Sequence, residues 1–176
     1  MNYNYDLSFE NLNTFDIELF DDETLELSPT ELLKREEQLK NILNSLFNDE
    51  QEIECRFSSI SNFTKNRLLS QLNSNDYNSV LCKVENGVLL TTITIKFKHE
   101  KIRKLVKSII TSDFPDFRKE LNYPKFHADS LILTDIERKN SIQLFDDRYV
   151  RINFSEEETQ LKFANKYKLE RPEDWG

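Results

Sequence analysis

The chain has 176 residues, 38% of them hydrophobic and 32% charged, with thirteen Phe, six Tyr and a net charge of −8. That aromatic content is too high for a disordered chain, and the length suits one domain able to bury about 70% of its extended surface. Two Gly and four Pro in all argue against a glycine-rich phosphate cradle, and the acidity argues against nucleic acid as the partner.

Charge is unevenly distributed. Residues 1–57 carry 15 acids against 4 bases, residues 58–128 carry 6 against 12, and residues 129–176 carry 11 against 8. The first 33 residues hold nine carboxylates and no Lys or Arg. Such an N-terminal third suits contact with a basic protein surface; simple solubility is the plainer reading.

In chain order, Phe15 to Phe20 (FDIELF) alternates bulky and acidic residues, as a half-buried strand should. A helix over 28–47 has nearly every start signal, with Ser28 as N-cap, Pro29 in the first turn and Glu31 as a capping-box acid. Leu32, Leu39, Ile42, Leu43, Leu46 and Phe47 form its apolar stripe. Glu52 to Phe57 is a second strand, and SNFTKNRLLSQL predicts a short helix with Phe63, Leu68, Leu69 and Leu72 inward. Asn86-Gly87, between two runs rich in β-branched residues, predicts a type I′ hairpin. The following helix should turn Ile102, Leu105, Val106, Ile109 and Ile110 inward, and Lys101, Lys104 and Lys107 outward.

A loop punctuated by Pro115 and Pro124 leads to two or three antiparallel strands, with a turn at Arg138-Lys139-Asn140 and a hairpin across Ser141 to Phe154. The last helix should be capped by Ser155, with Glu158 at its third position. The expectation is a single α+β domain over 1–176, with 1–12 and 170–176 as flexible ends. Its sheet is mainly antiparallel, with about five to seven strands and about three to four helices packed on it.

Cys55 and Cys82, each alone in a strand-like run, read as buried thiols rather than a disulfide, and no CxxC pair offers a zinc site. The N-terminal residues lack a basic n-region and a long apolar segment. No run approaches a membrane span, so a soluble cytoplasmic protein is expected.

The chemistry-bearing residues are few. In a strand, Asp146 and Arg148 would share a face as an ion pair while Asp147 caps a turn before Tyr149; adjacent carboxylates could also hold a divalent cation, given further oxygen ligands. His127 and Asp129 could share a face and join Asp146 in an acid–base or metal site, although one His with one Asp is as readily a surface hydrogen bond. The basic run Lys96 to Lys107, with Phe97 and His99 as stackers, is the best argument for phosphate contact, against which outward lysines on an amphipathic helix are ordinary. There is no GxSxG, P-loop, dinucleotide fingerprint or HExxH, and the chain is read as a non-enzyme without cofactor or metal.

The segments FDIELF, REEQLKNILNSLFND, KIRKLVKSIITSDF and LILTDIERKNSIQLFDDRYVRI, from Phe15 to about Ile152, together resemble an uncharacterised bacterial domain family. Its late strand carries Tyr-Asp-Asp-Arg-Gly; here Phe145 replaces the Tyr and Tyr149 the Gly, around the matching Asp146-Asp147-Arg148. Such domains look like the small acidic proteins found beside bacterial toxin genes, which implies an immunity-type binding role.

The expected function is therefore an immunity-type protein that neutralises a cognate bacterial toxin by covering its basic active-site or interaction surface. Asp21, Asp22, Glu23, Asp146, Asp147 and Arg148 are the expected contacts, with Trp175 as an anchor at the rim or a core plug. The alternative is a small enzyme or metal-dependent hydrolase built on His127, Asp129 and Asp146; a third reading is an accessory domain with a homo-oligomeric role.

Overall fold

A computed structural model describes residues 13–18, 28–70, 72, 77–111, 116–117, 121, 130–137, 140–145 and 149–167. Its elements run β1 (Asn13–Glu18), α1 (Pro29–Leu46), β2 (Glu52–Ser59), α2 (Asn62–Leu69), β3 (Tyr77–Glu85), β4 (Val88–Lys96), α3 (His99–Ile110), β5 (Leu131–Asp135), β6 (Ser141–Leu144), β7 (Tyr149–Phe154) and α4 (Glu157–Tyr167). The seven strands form one antiparallel sheet in the order β1-β7-β6-β5-β2-β4-β3, an α+β fold.

Helix α1 starts where its caps say. The Ser28 side chain accepts a hydrogen bond from the Glu31 N–H at 3.2 Å, and Pro29 occupies the first turn, where its missing N–H is no loss. The Glu31 carboxylate turns to Lys34 at 2.6 Å. At the other end the Phe47 N–H reaches the Leu43 carbonyl at 2.9 Å while its backbone turns extended. The next turn places Glu50 at a φ of 64°, and its N–H binds the Phe97 carbonyl at 2.9 Å. The Phe47 and Phe97 rings meet at 5.2 Å, so the end of α1 and the end of β4 are fixed together.

One face of the sheet is the core. Ile93, Cys55, Leu133, Ile142 and Ile152 follow one another across β4, β2, β5, β6 and β7 in register, and all are fully buried. Leu39, Ile42 and Leu43 of α1 and Ile102, Val106 and Ile109 of α3 close over them. Helix α2 packs on β2 and β4, α3 on β5 and against α1, and α4 on β7. The adjacent row on the other face, Thr92, Arg56, Gln143 and Arg151, is half-buried and polar, with buried Ile132 among it. Alternation along each strand thus sorts apolar from polar residues.

Several local expectations are corrected. Strand β1, Asn13–Glu18, begins two residues before Phe15, while Leu19 and Phe20 of the expected strand lie outside the described residues. Phe63 is 59% exposed, because α2 has only about two turns and its inner side is taken by Leu68. Cys82 is exposed while Cys55 is buried, since β3 is an edge strand and β2 is central. Between β5 and β6, where the turn at Arg138-Lys139-Asn140 is expected, Ile136 and Glu137 turn, Arg138 and Lys139 lie outside the described residues, and Asn140 is buried, its carbonyl accepting from the Asp135 N–H at 2.7 Å. Helix α4 begins at Glu157, so Glu156 rather than Ser155 immediately precedes it.

Candidate functional site

The largest discrepancy between sequence and structure is electrostatic. Arg35 and Glu36 lie on the inner side of α1 and are 3% and 5% exposed, where a purely apolar stripe was expected. Helix α3 supplies the reason. Arg103 donates its Nε–H to Glu36 at 2.6 Å, and the Lys107 ammonium stands 3.3 Å from the other carboxylate oxygen. Lys107, expected outward, is thus drawn between the helices, its side chain only 15% exposed. Burial pushes its ammonium below the ordinary lysine range even though Glu36 pulls the other way.

His99 opens α3 beside this cluster. Neither ring nitrogen has a hydrogen-bond partner among the described residues, and both are buried. Burial lowers its pKa, Lys40 and Arg103 add to the effect, and Glu36 and Glu37 oppose it, so the ring is held neutral. Lys98 pairs with Glu50, and that hydrogen bond holds the Glu50 carboxyl below its usual range. The basic run singled out in the sequence is therefore largely folded onto the protein's own acids. Arg103 and Lys107 bind α1, and Lys98 binds the turn that follows it.

Exposed acids are spread over the described surface: Glu37, Asp49, Glu50, Glu52, Glu100, Glu137 and the run Glu156-Glu157-Glu158. Among them stand uncovered apolar side chains, with Ile60 at 76%, Leu81 at 69%, Val84 at 68% and Phe63 at 59% exposure. The Arg67 guanidinium lies 5.3 Å from the centre of the Phe63 ring.

A cavity of about 210 Å³ opens between the end of α1 and α4, lined by Ser45, Leu46, Asn140, Lys162, Phe163 and Lys166. Its lysines are engaged within the fold: Lys162 with Glu158 at 2.6 Å, and Lys166 with the Ser45 hydroxyl at 2.6 Å. The site is a shallow notch with an aromatic wall.

The residues expected to make partner contacts, Asp21, Asp22, Glu23, Asp146, Asp147, Arg148 and Trp175, lie outside the described residues, as do His127 and Asp129 of the alternative site. The structure does define the frame of the Asp146-Asp147-Arg148 step. In the sequence it lies between β6 and β7, whose Leu144 and Val150 are cross-strand partners. Nearby, the Arg151 guanidinium sits 5.8 Å from the Phe145 ring. Among the described residues no cluster of three or more His, Cys, Asp or Glu is arranged to hold a metal ion, and no helix is long and apolar enough to cross a membrane.

Comparison with family models, curated proteins and solved structures gives no match.

Proposed function

We propose that this chain is a non-catalytic binding protein of the immunity type, which neutralises a cognate bacterial toxin in the cytoplasm by covering a basic surface. The observation that supports this reading is the pairing of the basic run around α3 with the protein's own acids: Arg103 and Lys107 face Glu36, and Lys98 faces Glu50. With those bases engaged by the protein's own acids, fewer cations are left to oppose a partner's basic groups in a chain of net charge −8, and exposed acids of the described residues stand among exposed Ile60 and Phe63. Acids speed encounter with a basic partner, and apolar side chains supply the desolvated centre of contact. On this reading Asp21, Asp22, Glu23 and the step Asp146-Asp147-Arg148 remain the proposed contacts, with Trp175 as a rim anchor.

The test is co-expression with the toxin domain encoded next to the chain's gene, followed by stopped-flow association with a catalytically dead form of that domain. Growth should be restored, and the association rate should fall at least about tenfold as salt is raised past physiological strength. A rate indifferent to salt, or growth that the chain does not restore, would rule the reading out.

A further inference from the structure

Strand β3 is the last strand of the sheet, and its seven residues from Asn78 to Val84 are all exposed. Its text is nevertheless that of a strand meant to be covered: Val80, Leu81, Cys82 and Val84 are apolar. The register with β4 shows on which face each lies. Val80 pairs with Ile93, Cys82 with Thr91 and Val84 with Leu89, and those three partners are buried. Val80, Cys82 and Val84 therefore extend the core face by one strand beyond the reach of the helical layer.

The hairpin also fixes which backbone groups of β3 are unused. Asn86 and Gly87, at φ of 50° and 81°, form a two-residue turn whose flanking residues Glu85 and Val88 are a hydrogen-bonded pair. Alternation then directs the N–H and C=O of Lys83, Leu81 and Ser79 to β4, and those of Val84, Cys82 and Val80 away from it. The outer edge thus presents its free backbone groups at the same three residues that carry the uncovered apolar side chains.

We propose that this edge pairs with β3 of a second copy of the chain, antiparallel about a two-fold axis at Cys82, joining two seven-stranded sheets into one. The register follows from the unused groups. An axis at Cys82 sets Val80 of one copy opposite Val84 of the other, and all three outward residues exchange backbone hydrogen bonds. Moving the axis to Lys83 or Val84 would pair Val80 or Cys82 with Asn86, inside the turn. Moving it to Leu81 or Val80 would pair Val84 or Cys82 with Asn78, at the irregularity between Tyr77 and Ser79.

Side chains agree on both faces. On the core face, the valines of the two copies enclose the two Cys82 side chains. On the other face, Leu81 lies opposite the alkyl stem of Lys83, and Glu85 opposite Ser79, with no like charges directly opposed. Charge favours a copy over a charged partner here. Lys83 is bound by Glu85 of its own strand at 2.5 Å, so the edge carries no net charge for a charged segment to recognise. Edge strands are commonly blunted by an unpaired charge or a proline, and the outward positions 80, 82 and 84 hold neither.

Sedimentation velocity on the full chain, from about 1 to about 500 µM, should show a species of twice 21.0 kDa that forms reversibly. Because two acidic bodies must approach, added salt should tighten this dimer, the opposite of its effect on association with a basic toxin. V80E and V84K should each weaken the dimer at least tenfold. The V80E/V84K double variant should regain it, since each new carboxylate then faces a new ammonium across the axis. Both positions are exposed, so unchanged far-UV circular dichroism and melting temperature separate these effects from misfolding. A short bis-maleimide should link the copies through Cys82, and C82S should abolish the link. A monomer at every concentration, a dimer unmoved by V84K, a double variant that stays monomeric, open-ended aggregation, or an edge that pairs only with a strand of another protein would each overturn the proposal.

Discussion

Replacing Glu36 by Gln tests whether the ion-paired contact between α1 and α3 is structural. In the native protein its carboxylate is 94% covered and stands 2.6 Å from Arg103 Nε and 3.3 Å from Lys107 Nζ. Glutamine keeps the volume but removes the charge. Arg103 can turn to water, its side chain being 49% exposed, whereas Lys107 at 15% stays largely buried and loses the carboxylate 3.3 Å from its ammonium. Stranding a fully buried charge costs about 3–5 kcal/mol; with one of the two cations able to escape, a loss of about 3 kcal/mol is expected. In a chain of this size that lowers the melting temperature by about 6–12 °C. Urea unfolding followed by circular dichroism should show the midpoint fall with an unchanged slope. The E36L/K107M double variant, which replaces the pair by apolar bulk, should recover most of the loss. The exposed pair Glu37–Lys40, at 3.0 Å, is the control, and E37Q should change stability by no more than about 0.5 kcal/mol. An E36Q protein within about 1 kcal/mol of the parent would show that Lys107 reaches water freely and would refute the reasoning.

Three further outcomes are expected. G87A should cost about 1 kcal/mol through backbone strain alone, because Gly87 sits at a φ of 81° with nothing within 4 Å of an added Cβ; an unchanged melting temperature would contradict the left-handed turn. His99 has a folded-state pKa below its ordinary 6.5, so the unfolded chain takes up a proton first as the solution is acidified. Stability contributed by the neutral ring is complete above 6.5 and declines as pH falls toward the lowered folded value, and H99L should flatten that part of the stability–pH curve. In the native protein one thiol, Cys82, should react promptly with a maleimide or a disulfide reagent. Cys55 should react only after denaturation, because burial covers it and pushes its thiol pKa up. Two thiols reacting at equal rates would contradict the placement of β2 at the centre of the sheet.

What could be read from the sequence was what local chemistry decides. Ser28 and Pro29 announce α1, Asn86-Gly87 announces the β3–β4 turn, and the Ile102 to Ile110 stripe announces the inner face of α3, because each signal is complete within a few residues. Strand order is not local, and nothing in VLCKVE tells an edge strand from a central one. That is why Cys82 was expected inside. Glu36 was missed for the same reason: its partner Arg103 lies on another helix, and a charged residue in an amphipathic pattern is ordinarily outward. Phe63 fails differently, since a helix as short as α2 has little inner face and Leu68 fills it. Of the candidate chemistry, the basic run could be seen as a run, but only the packing of α3 on α1 showed whom its charges meet.

The sheet order has a consequence for how the chain is made. Among the described residues strand β1 pairs with β7 alone, and Asn13 lies opposite Phe154, about 140 residues later. During synthesis β1 must therefore wait, without its ladder, until the residues of β7 have emerged. Nine carboxylates within the first 33 residues keep that waiting segment hydrated and mutually repelled, a built-in guard against premature association while its docking edge does not yet exist.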